Sequence, residues 1–137
     1  MLWSAYGGER DNNGGCMKFA KSVNILGTKY RIKYLDYEDE PAFENDVVGL
    51  CSKYTRTISV GNLSTFSDYK NESKKYKREL EKETLRHEIV HAFYYESGLA
   101  CNSNTYSGAW AINEEMVDWI AKQGLKLYNA WLEAGAI

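Results

Sequence analysis

Histidine is scarce in this chain: among 137 residues there are two, with one proline and three cysteines. No CxxC pair occurs, and the odd, widely spaced cysteines (Cys16, Cys51, Cys101) argue against a disulfide framework. They suit free thiols in a reducing compartment, so a cytoplasmic location is expected. No apolar run approaches the ~20 residues a membrane span needs, and the N-terminus lacks a basic stretch before an apolar one, so it does not read as a signal peptide. Charge of one sign is lacking too. The formal net charge is −2, which argues against nucleic-acid binding as the main role, since a phosphate reader usually shows a basic stripe. The one basic run, Lys74 to Arg78, is followed at once by Glu79, Glu81 and Glu83, as on a solvated helix face.

What is present is aromatic and apolar in ordinary globular proportion: 44% hydrophobic, 26% charged, 14% aromatic, with eleven tyrosines and four tryptophans. The length predicts one domain. Residues 1–16 are rich in Gly, Asn and charge and read as a disordered N-terminal extension; the domain is expected over 17–137. Alternating apolar positions from Val23 to Leu35, broken at Gly27-Thr28, predict a hairpin or two short strands. The acidic loop "DYEDEPAFEN" surrounds Pro41. Two more strands are expected at about 47–52 and 55–60. A long helix follows from about Tyr69 to Ser97, with Leu80, Leu85, Ile89, Val90, Phe93 and Tyr94 apolar and Gly98 at its end. A polar loop leads to a second helix over about 111–132, with Met116, Ile120, Leu127 and Trp131 on its apolar side. The order β-β-β-β-α-α predicts an α+β fold: a small, mainly antiparallel sheet packed against helices.

Both histidines lie in "HEIVH", His87 to His91. Residues four apart on a helix project from one face, so two imidazoles can reach one metal at about 2.0–2.1 Å. Glu88, turned about 100° from His87, cannot easily join the same coordination sphere, but it can hold and deprotonate a water. The bland alternative is a pair of surface or packing histidines. A catalytic site of this type has three protein ligands and one open position. Cys101 is a poor candidate for the third. "AINEEMVDWIA" offers a better one: Glu114, with Asp118 four residues on to accept the outer N–H of a ligating histidine. The competing reading is a helix start, with Asn113 as cap and Glu114 and Glu115 in the first turn.

"HEIVH" followed by "NEEMVD" resembles the gluzincin pattern of zinc metallopeptidases, HExxH then NExxxD. The resemblance covers about Glu79 to Lys122. Chain length and element order look like the minimal gluzincins and the short zinc peptidases of phages and mobile elements; ImmA/IrrE-like peptidases are a more distant comparison. The likeness implies a zincin-like fold, Zn2+ as cofactor and a peptide or protein as substrate. It implies His87, His91 and Glu114 as zinc ligands, Glu88 as general base and proton shuttle, and Asp118 as the partner of a ligand histidine. Glu115 is a rival third ligand, but the position four residues on from it is Trp119. Larger gluzincins stabilise the oxyanion from a C-terminal domain; this chain has no third histidine, which leaves Tyr106, with Tyr94 and Tyr95 as rivals. The family also pairs its substrate with the strand before the active-site helix, here about Thr55–Val60. The alternative function is a catalytically inactive zinc-binding structural or interaction protein built on the same fold.

Overall fold

The computed structural model describes residues 19–100 and 113–137. The N-terminal stretch 1–16, and with it Cys16, lies outside the described residues, as do Cys101 and Tyr106. The order is β1 (Ser22–Ile25), β2 (Thr28–Leu35), two 3-10 turns around Pro41, β3 (Gly49–Ser52), β4 (Thr57–Gly61), a third 3-10 turn, α1 (Lys74–Glu96) and α2 (Glu114–Glu133). The α+β architecture expected from the pattern is the one observed.

β1 and β2 form the expected hairpin. Leu26 (φ 50°) and Gly27 (φ 90°) make its turn; two positive φ values in succession define the primed turn whose twist matches a tight hairpin. The sheet order is β1-β2-β4-β3. β1/β2 and β3/β4 are antiparallel, while β2/β4 is parallel. This corrects the placement of the edge. The strand expected at about 55–60 is central: β4 turns back inside β3, and its Ile58 and Val60 are fully buried. The free edge beside α1 belongs to β3.

α1 begins five residues later than its charged, helix-prone flank suggests. Ser73 caps it by accepting the Tyr76 N–H at 3.1 Å, and Tyr69 sits in the preceding turn. At the far end Gly98 is left-handed at φ 84°, as the end of a helix favours. Ile25, Tyr30, Ile58, Val60 and Ala92 form the core between sheet and helix. Phe43, Leu63 and Phe66 form a second cluster. Two carboxylates pin α1 to the rest of the fold. Glu81, 1% exposed, accepts the Leu63 N–H at 3.0 Å and lies 2.9 Å from the Tyr34 hydroxyl. Glu96 accepts the Tyr30 hydroxyl at 2.7 Å and the Thr28 hydroxyl at 2.9 Å.

The second helix packs on α1 by a face that shares only Ile120 with the expected one. Met116, Leu127 and Trp131 are 38%, 36% and 48% exposed, whereas Val117 and Ala121 are buried. Phe93 on α1 is likewise largely exposed. On α2 the residues Glu114, Val117, Asp118 and Ala121 follow the i, i+3, i+4, i+7 spacing of one helical face. Val117 packs with Tyr94, Val90 and Ile120, and the small Ala121 permits close approach. Arg86 of α1 donates its Nε–H to the Ala121 carbonyl at 2.7 Å. Two carboxylates therefore occupy the inward face, and this hides it from a reading based on apolar spacing.

Candidate metal centre

His87 and His91 stand one turn apart in the middle of α1, their ring centroids 4.8 Å from each other. Their Nε2 atoms are 3.1 Å apart. Asn113 caps α2 by accepting the Met116 N–H at 3.2 Å, and Glu114 is the first helical residue. The capping role and the site role of this segment coexist. The Glu114 carboxylate reaches both rings: Oε2 lies 3.0 Å from His87 Nε2, and Oε1 lies 3.3 Å from His91 Nε2. Asp118 Oδ1 is 2.8 Å from His87 Nδ1. With the Nδ1 proton donated to Asp118, the His87 Nε2 presents a lone pair toward His91 and Glu114. Burial holds the His91 imidazole below its usual pKa range, against the opposing pull of the Glu114 carboxylate; this favours a neutral His91 ring.

Two ring nitrogens and the two oxygens of one carboxylate thus converge, with nitrogen–nitrogen and nitrogen–oxygen approaches of 3.0 to 3.3 Å. Electron-rich atoms this close repel one another unless a proton or a metal lies between them. Ligand atoms about 2.0–2.1 Å from a tetrahedral ion lie about 3.3 Å from one another, so two nitrogens and a carboxylate at these separations fit an ion with little adjustment. The same donors exclude a preference for hard, all-oxygen cations such as calcium.

Glu88 is near this triangle without being in it. Ligand atoms of His87, Glu88 and His91 all fall within 4.8 Å of one another, yet Glu114 makes the short approaches. The Glu88 side chain turns toward the sheet and lies against Gly49 of β3. It is 7% exposed and makes no side-chain hydrogen bond among the described residues. Burial pushes its carboxyl up to about 7, and the Glu114 charge adds to the rise. A carboxyl poised in this range can take and return a proton near neutrality.

The neighbouring tyrosines separate. Tyr94 is buried between α1 and α2. Tyr95 stacks on His91, ring centroids 6.3 Å apart at 20°. Burial, and then the charges of Cys51, Glu88 and Glu114, raise its phenol pKa. Lys53 reaches over its ring at 5.6 Å. Cys51, on β3, is a free thiol that burial, with Glu88 and Glu96, pushes up to about 12. Glu115 is exposed on α2, and none of the ion pairs at the two rings involves it.

Two participants escaped the sequence reading. Gly49 is one: a β-carbon there would collide with the Thr84 methyl and stand 3.0 Å from Glu88 Oε1. A glycine inside a strand pattern is the available signal for such an approach. Asp46, beside the centre, is the other; its placement depends on the 3-10 turns after β2, which no local pattern announces. No protein-family model matches the chain, and neither the curated proteins nor the solved structures give a match. A His-Glu-His group on a helix, able to bind a metal, is therefore what sequence and structure establish together. Among the described residues no helix is long and apolar enough to cross a membrane.

Proposed function

We propose that this protein is a zinc-dependent metallopeptidase of gluzincin type, acting on a peptide or protein substrate. The observation that carries the reading is the division of labour among carboxyls. Glu114 approaches both ring nitrogens, Asp118 orients one ring, and Glu88 stays beside the donors, buried and free of hydrogen bonds among the described residues. A purely structural site would have little use for that third group.

His87, His91 and Glu114 would hold the zinc, leaving a fourth position open. Zinc bound there supplies a Lewis acid that polarises a carbonyl and acidifies water. Glu88 accepts the proton of the attacking water and hands it to the departing amine. Asp118, 2.8 Å from His87 Nδ1, holds His87 in the tautomer that leaves its Nε2 lone pair free, as a metal ligand would need. The free edge of β3 runs beside the site, and an extended peptide can add to it through main-chain hydrogen bonds.

Glu88→Gln is the decisive variant. It preserves shape, so zinc content should stay at about one per chain while hydrolysis is lost. Peptide hydrolysis that persists in purified Glu88→Gln protein would refute the mechanism. If native protein prepared without chelators carries less than ~0.2 zinc per chain, the metal assignment itself is refuted, because a three-ligand site retains its ion.

A further inference from the structure

A cavity of about 270 Å³ opens beside the metal centre, between the start of β3 and the first half of α1. Val47, Val48 and Leu80 line its walls, while Asp46, Glu83 and Asp118 contribute carboxylates and no lysine or arginine lines it. Glu88 lines it as well; the residue is 7% exposed and its side chain makes no hydrogen bond among the described residues. We propose that this cavity is a specificity pocket for a lysine or arginine side chain, an assignment that rests on the peptidase reading above.

The side of the scissile bond follows from Glu88. The group that protonates the departing amine must stand next to it, and Glu88 forms part of this cavity. The side chain entering the cavity therefore belongs to the residue that carries the new amino group. A long cationic side chain suits it in both halves. Its methylenes would lie against Val47, Val48 and Leu80, and its charged end would meet the Asp46 and Glu83 carboxylates of the same lining. Asp118 is engaged by His87. Glu83 has only a loose partner, the Lys122 ammonium at 3.7 Å, with both side chains well exposed. Asp46 makes no ion pair or side-chain hydrogen bond among the described residues. Asp46 and Glu83 are thus the specificity-determining residues. A glutamate or aspartate side chain would meet like charge in the same place, and a leucine would leave the carboxylates facing apolar surface.

The test uses the zinc-loaded full chain and three matched peptide sets that differ only in the residue after the bond at risk: lysine or arginine, leucine, or glutamate. Cleavage, read by mass spectrometry, should fall before the basic residues and spare the acidic ones. Asp46→Asn and Glu83→Gln should each weaken the preference for lysine over leucine about three- to tenfold, the size of a partly screened charge pair. Asparagine tolerates the left-handed backbone at position 46 (φ 61°), so the fold should survive the change. A second arm measures binding of the same peptides to zinc-loaded Glu88→Gln protein, where the same rank order should appear. Cleavage without basic preference, or a preference that both substitutions leave unchanged, overturns the pocket and leaves the peptidase intact. Selective binding of basic peptides without any cleavage by the native chain overturns the peptidase and keeps the pocket. Equal binding of all three sets overturns the pocket whatever the activity.

Discussion

Adding one methyl group at Gly49 tests the contact between the sheet edge and the helix that bears the site. A β-carbon at Gly49 would overlap the Thr84 methyl, and it would stand 3.0 Å from Glu88 Oε1 and 3.2 Å from Glu88 Cγ. Thr84 cannot turn away freely, because its hydroxyl donates to the Leu80 carbonyl at 2.8 Å and the side chain is buried. The strain must move β3 off α1, or swing Thr84 and Glu88. Overpacking of this kind costs about 1–3 kcal/mol. About 0.4–1 kcal/mol returns from the less flexible unfolded chain, which leaves a net loss centred on ~1.3 kcal/mol. For a chain of this size each kcal/mol moves Tm by roughly 3–6 °C, so Gly49→Ala should melt roughly 4–8 °C lower. Urea unfolding should show a lower midpoint at an unchanged slope. Thr84→Ser deletes the obstructing methyl and keeps the hydroxyl, so the double variant should recover most of the loss. Gly124, on α2, is the control: nothing lies within 4 Å of its would-be β-carbon, and alanine there should raise stability by about 0.4–1 kcal/mol. A Gly49→Ala protein that melts with or above the native chain would refute the close approach, and with it the position assigned to Glu88.

Other perturbations address the remaining parts. Asp118→Asn should weaken zinc binding about 10–100-fold, read by competition with a chromophoric chelator, while the apo protein keeps its circular dichroism. Glu81→Ala should cost about 1–3 kcal/mol in urea unfolding, because the buried Leu63 N–H loses its acceptor. The hydroxyls of Tyr30 and Thr28 hold the Glu96 carboxyl below its ordinary range. Its contribution to stability is therefore complete above the unfolded carboxylate pKa, near 4.5, and is lost as pH falls through the lower folded value. Glu96→Gln should flatten the acid limb of a stability-against-pH curve below about pH 4.5 and leave the limb near pH 7 unchanged in slope.

The parts legible from the amino-acid order are those governed by local spacing. HEIVH has helical periodicity, so His87 and His91 had to share a face once α1 formed. Asn113 announces a helix start, and Glu114 and Asp118, four apart, were bound to project together. The hairpin at Leu26-Gly27 and the left-handed Gly98 follow the same local logic. The parts that did not show depend on contacts across the chain. β4 is central because it returns inside β3, and alternation cannot tell an inner strand from an outer one. The inward face of α2 was misjudged because it carries Glu114 and Asp118 beside Val117 and Ala121, so hydrophobicity points to Met116, Leu127 and Trp131 instead. The polar flank from Tyr69 suits a helix as well as a turn, and only the Ser73 cap sets the start of α1.

The metal centre straddles two helices joined by a narrow seam. The ring nitrogens come from α1 and the carboxylates from α2, while Val117 and Ala121 supply the fully buried apolar surface on α2. An ion shared by these groups would work as a clasp. At a free concentration a thousandfold above its dissociation constant it would add about 4.1 kcal/mol to the docked state. A chelator would then unfasten the C-terminal helix, and hydrogen exchange along α2 would become a gauge of ion supply.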